Sequence, residues 1–140
     1  EIDSLDFLEL TNKRIIQTKP AAASVGRYNR AIAAQGEMIF VSGQVALDAN
    51  TGSLVGEGDI ITQTKQVMAN VEAILREAGV GWENVAKTTI YLTDLSYFST
   101  VNEIYGSYFN SETAPARACV EVSRLPKGAL VEVECIAIAA

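Results

Sequence analysis

Residues 114–134, APARACVEVSRLPKGALVEVE, carry two β-strand patterns joined by a turn. Apolar and polar residues alternate on both sides of LPKG, whose proline and glycine are typical of turns. Arg117 lies in the first strand and Glu132 in the second, each with apolar neighbours in the sequence. Such charged side chains face either water or a pocket, so the faces of the sheet have to be assigned before either residue can be interpreted.

The chain before this stretch contains four more strand patterns. Strands are predicted in KRIIQT (13–18), RYNRAIAAQ (27–35), GEMIFVSGQ (36–44) and NVAKTTIYLTDL (84–95). Gly36 and Glu37 are expected to form the turn of a hairpin between the second and third of these strands.

Two helix patterns separate the later strands. The first begins after Asp59, a good N-cap residue, and ends before Gly79, a good C-terminal stop. Its apolar positions recur at helical spacing and are Ile60, Val67, Met68, Val71, Ile74, Leu75 and Ala78. The second helix is predicted from Ser96 or Ser99 to Phe109, with Asn102 on or beside its apolar stripe. That stripe consists of Phe98, Val101, Tyr105, Tyr108 and Phe109.

The resulting order of elements, β-β-β-α-β-α-β-β, predicts an α+β domain in which two helices can cover only one face of the sheet. A solvated second face would alternate cleanly between apolar and polar residues. Instead, the strand segments MIFVSG (38–43) and TTIYLT (88–93) have apolar residues on both faces. We therefore expect the second face to pack against another copy of the chain, in a homo-oligomer with pockets where subunits meet.

The alternation of residues places Arg117, Cys119 and Glu121 on one face of their strand, and Ala118, Val120 and Val122 on the other. The second set suits packing against helices, so Arg117 and Glu132 are expected on the face away from them. One interpretation is an ion pair that holds subunits together. The other is functional, because a desolvated arginine clamps a carboxylate and a desolvated glutamate moves a proton or activates a water.

Composition excludes several kinds of site. The net charge is −6 and the Lys and Arg residues are scattered, which does not favour a nucleic-acid partner. The chain has no histidine, so Ser-His and Cys-His nucleophile pairs are excluded, and the cysteines Cys119 and Cys135 have no metal-site spacing. No apolar run reaches the roughly 20 residues that span a bilayer.

The first ten residues, EIDSLDFLEL, are acidic, unlike a signal or transit peptide. The compartment is therefore left open between the cytoplasm and, for a processed chain, an organelle matrix.

Three segments resemble the Rid family (RidA, formerly YjgF) of reactive-intermediate imine deaminases. They are PARACVEVSRLPKGALVEVE (115–134), FVSGQVALDANTGSLVG (40–56) and NVAKTTIYLTDLSYFSTVNEIYGSYF (84–109), and the resemblance runs from about Pro20 to Ile138. It implies a chorismate-mutase-like α+β fold with a mixed sheet of about six strands and two helices on one face. It also implies a homotrimer whose sheets form a central barrel, with sites in the clefts between subunits.

The resemblance also implies roles for particular residues. Arg117 matches the arginine that holds the substrate carboxylate, and Glu132 matches the glutamate that positions or activates the attacking water. The remaining matched pocket residues are Tyr28, Ser42, Gly43, Asn102 and Cys119.

The chain departs from the family pattern near its N-terminus. Gly26-Arg27-Tyr28 stands where Gly-Pro-Tyr is usual, so a changed Tyr28 loop is expected. Residues 1–12 have no obvious family counterpart and are interpreted as an extension, ordered or disordered, before a single domain over 13–140.

The activity implied is hydrolytic deamination of 2-aminoacrylate, 2-iminobutanoate and similar enamines or imines to 2-keto acids and ammonia, with no metal and no cofactor. An alternative is a non-enzymatic trimer that binds a keto acid or another small carboxylate as a sensor or chaperone-like protein. A third possibility is a ribonuclease, which the acidic charge and the missing histidine make the weakest.

Overall fold

The structure, a computed structural model, describes residues 4–19 and 26–140. In these ranges there are three α-helices: α1 (Ser4–Thr11), α2 (Ile60–Glu77) and α3 (Phe98–Gly106). There are six strands: β1 (Lys13–Ile16), β2 (Ala31–Ala34), β3 (Glu37–Gln44), β4 (Val85–Leu92), β5 (Ala116–Glu121) and β6 (Val131–Ala139). Helix α1 lies in the N-terminal extension.

The main sheet has the strand order β3-β6-β4-β5. Strands β4 and β5 are parallel, while β6 is antiparallel to both β3 and β4. The LPKG turn leads from β5 to β6, yet β4 lies between these strands. The mixed sheet with α2 and α3 on one face confirms the predicted α+β fold, and the predicted strands are divided between this sheet and a separate pair.

Helices α2 and α3 bury their apolar stripes against one face of the sheet, as their spacing predicts. Asp59 caps α2 by accepting hydrogen bonds from the backbone N–H groups of Ile61 (3.1 Å) and Thr62 (3.2 Å). Helix α3 ends at Gly106, earlier than predicted, although Phe109 beyond it is still buried. The buried α2 stripe contains Val67, Met68, Val71 and Leu75.

The predicted hairpin between the second and third strands is wrong. Strand β2 pairs antiparallel with β1 in a separate two-stranded sheet, and β3 pairs with β6. Contacts just before β2 connect this segment to β5. Asn29, just before β2, bridges to Ala116 of β5 and donates a side-chain hydrogen bond to the carbonyl of Ala114 (2.7 Å). Residue periodicity predicts a strand but carries no information about such distant partners.

A buried lysine attaches the β1–β2 pair to the rest of the domain. Lys13 is 0% exposed, and its Nζ donates to the backbone carbonyls of Glu83 (2.9 Å), Val85 (2.6 Å) and Thr113 (3.3 Å). Burial lowers the pKa of Lys13 to about 8, an effect that the nearby charge of Glu83 opposes. The three carbonyls match the three donors of an ammonium group, so the buried charge is satisfied.

We expect Lys13→Met to lower the free energy of unfolding by about 1–3 kcal/mol, because three buried carbonyls lose their donor. Urea denaturation at fixed protein concentration measures the change. Lys19→Met, at an exposed position, is the matched control. Equal midpoints for the two variants would show that Lys13 does not anchor this pair of strands.

The second face of the main sheet exposes several large apolar side chains. Met38 and Phe40 of β3 are 53% and 68% exposed, and Val120 of β5 is 43% exposed. This face is the one predicted to pack against another copy of the chain. In the described part of the chain, no helix has the length and apolar character needed to cross a membrane.

Candidate active site

Arg117 lies on the opposite face of the sheet from the one expected. In the parallel register of β4 and β5, Arg117 is the partner of Thr88, which is buried beneath the helices. The prediction that Arg117 faces away from the helices is therefore wrong, and Ala118 and Val120 occupy that outer face instead. The assignment failed because β5 is an edge strand with apolar residues on both faces, so alternation alone could not orient it.

Asn102 and three aromatic rings hold the guanidinium of Arg117 in place. Its Nη1 donates to Oδ1 of Asn102 on α3 at 2.6 Å. Its Cζ lies 4.5 Å from the ring centroid of Tyr28, 5.1 Å from that of Tyr105 and 5.6 Å from that of Phe98. A cation among aromatic rings is held by their quadrupoles. Of the residues expected at the pocket, Arg117, Asn102 and Tyr28 thus lie together.

Phe98 and Tyr105 also belong to this site, a role that the sequence pattern does not predict. The pattern places both rings in the apolar stripe of α3, and Tyr105 is 1% exposed. Its hydroxyl shares a 2.7 Å hydrogen bond with the hydroxyl of Thr88, and burial raises its pKa above the usual range of a tyrosine, so the phenol stays neutral. The sequence signal that could have placed both rings in the site is their position on the helix face that carries Asn102.

Arg27 replaces the usual proline before Tyr28 and makes its own contacts. Its Nη1 donates to the carbonyls of Gly106 (3.0 Å) and Phe109 (3.2 Å) at the C-terminal end of α3. A cation suits this end because the last helical carbonyls lack partners within the helix. Arg27 thereby ties the loop to α3, and Tyr28 still lies over Arg117.

Gly26 leaves room for Asn102. A Cβ atom at position 26 would lie 2.6 Å from Oδ1 of Asn102, which is too close for any side chain. The loop therefore approaches α3 at the residue that holds Arg117.

Cys119 lies two residues after Arg117 on the same face and is half-buried. Burial raises the pKa of its thiol, although the charge of Arg117 opposes this, so the thiol is not activated as a nucleophile. Cys135 is on β6, beyond β4, and strand spacing puts it roughly 9–10 Å from β5. That separation is too large for a disulfide between the cysteines.

Glu132 lies on the outer face of the sheet, as predicted. Its cross-strand partner is Tyr91 of β4, whose position alternates with the buried Ile90 and Leu92. Burial is the larger cause of the raised pKa of Glu132, and the neighbouring charge of Glu134 raises it further.

Ser42 and Gly43 form an irregularity in β3 beside Glu132. The register with β6 shifts between Val41 and Gln44, so both residues oppose one position of β6 in a β-bulge. A Cβ at position 43 would lie 2.8 Å from Cδ of Glu132, so only glycine lets this carboxylate approach the strand. Ser42, Gly43 and Glu132 therefore lie together, in a second cluster apart from Arg117.

The chain therefore carries the predicted residues as two half-sites. The arginine half-site contains Arg117, Asn102, Tyr28 and Cys119, and it lies between β5 and α3. The glutamate half-site contains Glu132, Ser42 and Gly43, and it lies on the outer face of β3 and β6. The sheet separates them, so within one chain Arg117 and Glu132 cannot contact the same small molecule.

Sequence comparisons identify similar proteins over most of the chain. The family model described as Endoribonuclease L-PSP matches residues 18–139. A RutC family protein of Synechocystis is 57% identical over 125 residues, which is 89% of this chain and 95% of that protein. The 2-iminobutanoate/2-iminopropanoate deaminase of Mus musculus is 43% identical over 126 residues, which is 90% of this chain and 91% of that protein.

Solved structures share the fold. The crystal structure of E. coli TdcF with bound serine superimposes with a TM-score of 0.68 at 36% sequence identity, covering 91% of this chain and 99% of TdcF. Rid-family proteins from other bacteria are also among the matching structures.

Proposed function

The chain belongs to the Rid family, and on that premise we propose that it is a hydrolytic deaminase of 2-imino and 2-enamino acids, forming 2-keto acids and ammonia. The observation that carries this proposal is the guanidinium of Arg117, fixed by Asn102 among aromatic rings. The name of the mouse relative, a deaminase of 2-iminobutanoate and 2-iminopropanoate, supports the substrate class. Serine bound to TdcF is likewise a small amino acid with a carboxylate.

Arg117 binds the substrate carboxylate. Its planar fork can donate two parallel hydrogen bonds to a carboxylate, which fixes both the position and the orientation of a small planar imine. Because Asn102 and the aromatic rings already hold the guanidinium, binding the substrate requires little further ordering.

Glu132 acts on water. Its carboxylate accepts a proton from a water molecule as the water oxygen forms a bond to the carbon of the protonated imine, giving a neutral carbinolamine. Glu132 then gives this proton to the carbinolamine nitrogen. The C–N bond breaks and ammonia leaves as the carbinolamine hydroxyl passes its proton to the Glu132 carboxylate and becomes the carbonyl of the keto acid. The raised pKa of Glu132 suits these steps, because a base whose pKa approaches the working pH accepts and returns a proton readily.

The complete site forms between copies of the chain. The half-sites lie on opposite faces of one sheet, and the outer face bears exposed apolar side chains such as Met38 and Phe40. We propose a homotrimer in which the arginine half-site of one copy meets the glutamate half-site of the next. Light scattering should give three times the chain mass.

Co-expression of two inactive variants tests this composite site. We expect Arg117→Ala and Glu132→Gln chains, each inactive alone, to assemble into mixed trimers with about a quarter of wild-type activity. Random mixing in a ring of three pairs an intact Arg117 with an intact Glu132 at roughly one site in four. Activity no higher than that of either variant alone would place both residues in a site within one chain.

The activity itself is tested with imines generated in situ by a threonine or serine dehydratase. Faster release of keto acid and ammonia in the presence of the purified protein is the expected result. Binding of 2-oxobutanoate without any acceleration of imine hydrolysis would instead identify a carboxylate sensor. Ribonuclease activity is not proposed, because the net charge of −6 and the missing histidine do not favour cleavage of RNA.

A further inference from the structure

Glu132 has two polar neighbours on the outer face that the reaction described above does not use. Glu134 follows it by two positions on β6 and therefore points to the same side of the sheet. Tyr91 of β4 is the cross-strand partner of Glu132, and its hydroxyl donates a hydrogen bond to Oε1 of Glu134. Tyr91 thus lies opposite one carboxylate and holds the other.

We propose that Glu134, fixed by the hydroxyl of Tyr91, is a positioning residue whose carboxylate makes Glu132 a stronger base. This proposal rests on the proposed function, in which Glu132 accepts a proton from water. Neither Glu134 nor Tyr91 is assigned contact with the substrate, so both act through Glu132.

Electrostatics on the outer face supports this role. Around Glu132 within one chain, β6 contributes Glu134, β4 contributes Tyr91 with Lys87 further along, and β3 contributes the uncharged bulge of Ser42 and Gly43. In the proposed trimer Arg117 of the next copy also faces Glu132, and its positive charge acts in the opposite direction to that of Glu134. Burial and the charge of Glu134 raise the pKa of Glu132, in that order. Two carboxylates on one face repel each other, so the negative charge of Glu134 favours proton uptake by Glu132.

The hydroxyl of Tyr91 fixes where the second charge lies. Its hydrogen bond to Glu134 is the largest cause of its raised pKa, followed by burial, so the hydroxyl keeps its proton and remains a donor. A glutamate side chain has several rotamers. Without the Tyr91 hydroxyl, the Glu134 carboxylate would turn toward water, which would screen its charge from Glu132. Tyr91 therefore preserves the electrostatic effect of Glu134.

Carbon-13 NMR titration of the Glu132 side-chain carboxyl, assigned by its loss in Glu132→Gln, measures this coupling without any substrate. In Glu134→Gln we expect the Glu132 titration midpoint to move to lower pH. In Tyr91→Phe we expect a smaller movement in the same direction, and no further movement when Tyr91→Phe is added to Glu134→Gln. Glu77→Gln, which removes an equal charge from an exposed site on α2, should leave the midpoint unchanged.

The pH profile of kcat/KM is the second readout. Glu132 must be ionised to act as a base, so the acid limb should move to lower pH in Glu134→Gln. On that limb we expect relative kcat/KM to rise roughly twofold to tenfold, since one pKa unit corresponds to a factor of ten.

The two readouts separate the failure of this inference from the failure of the proposed function. An unchanged Glu132 midpoint in Glu134→Gln overturns the inference, whatever the activity. A shift in Tyr91→Phe that is absent or opposite overturns the role of Tyr91. A shifted NMR midpoint with an unshifted kinetic profile shows that the coupling exists but that Glu132 is not the base.

Discussion

Arg117→Lys is expected to lower kcat/KM for imine hydrolysis by about a hundredfold to ten-thousandfold, and Arg117→Ala at least as much. The guanidinium can give the substrate carboxylate two charge-assisted hydrogen bonds, each contributing about 1.5–3 kcal/mol. Lysine keeps the charge but loses the planar fork and the stacking against Tyr28 and Tyr105. The coupled dehydratase assay measures the loss.

The matched control is Arg76→Lys on α2, where the arginine side chain is 77% exposed. It should leave kcat/KM unchanged. Circular dichroism and light scattering of Arg117→Lys should match the wild type, so that a loss of activity reports on binding and not on folding. Near wild-type turnover in Arg117→Lys would show that a point charge suffices and that the planar clamp is not needed.

Glu132→Gln is expected to cut turnover by about a hundredfold to ten-thousandfold, the usual effect of losing a general base. Glutamine keeps the shape of the side chain and some hydrogen bonding but cannot take a proton from water. The wild-type rate should itself fall with decreasing pH at a higher pH than an ordinary glutamate would give, because burial and Glu134 raise the pKa of Glu132.

The affinity of Glu132→Gln for a keto acid should not fall with its turnover rate. Since Glu132 acts on water and its charge repels the substrate carboxylate, Glu132→Gln should bind 2-oxobutanoate at least as tightly as the wild type does in calorimetric titration. Glu57→Gln, at an exposed loop position, is the control for the loss of one negative charge elsewhere on the chain. Normal turnover in Glu132→Gln would remove Glu132 from the reaction and leave it a structural residue.

Local features of the chain were predictable from the sequence because they depend on neighbouring residues. The N-cap at Asp59 and the buried stripe of α2 follow from spacing within one helix. Family resemblance implied one pocket for all these residues, whereas in one chain Tyr28 and Asn102 lie beside Arg117 and Gly43 lies beside Glu132. The resemblance also showed that Arg27 departs from the family pattern, but it did not predict the contacts of Arg27 with the end of α3.

The sequence by itself therefore determined the strands, the helices α2 and α3, the family and the kinds of side chain available to the site, but not helix α1. Only the tertiary structure decided which face of the sheet each side chain occupies, because alternation along a strand separates two faces without orienting them. The parallel register beside Thr88 turns Arg117 toward α3, while the antiparallel register beside Tyr91 turns Glu132 away from it. Both orientations depend on hydrogen bonds between strands that are distant in the chain, which no local pattern records.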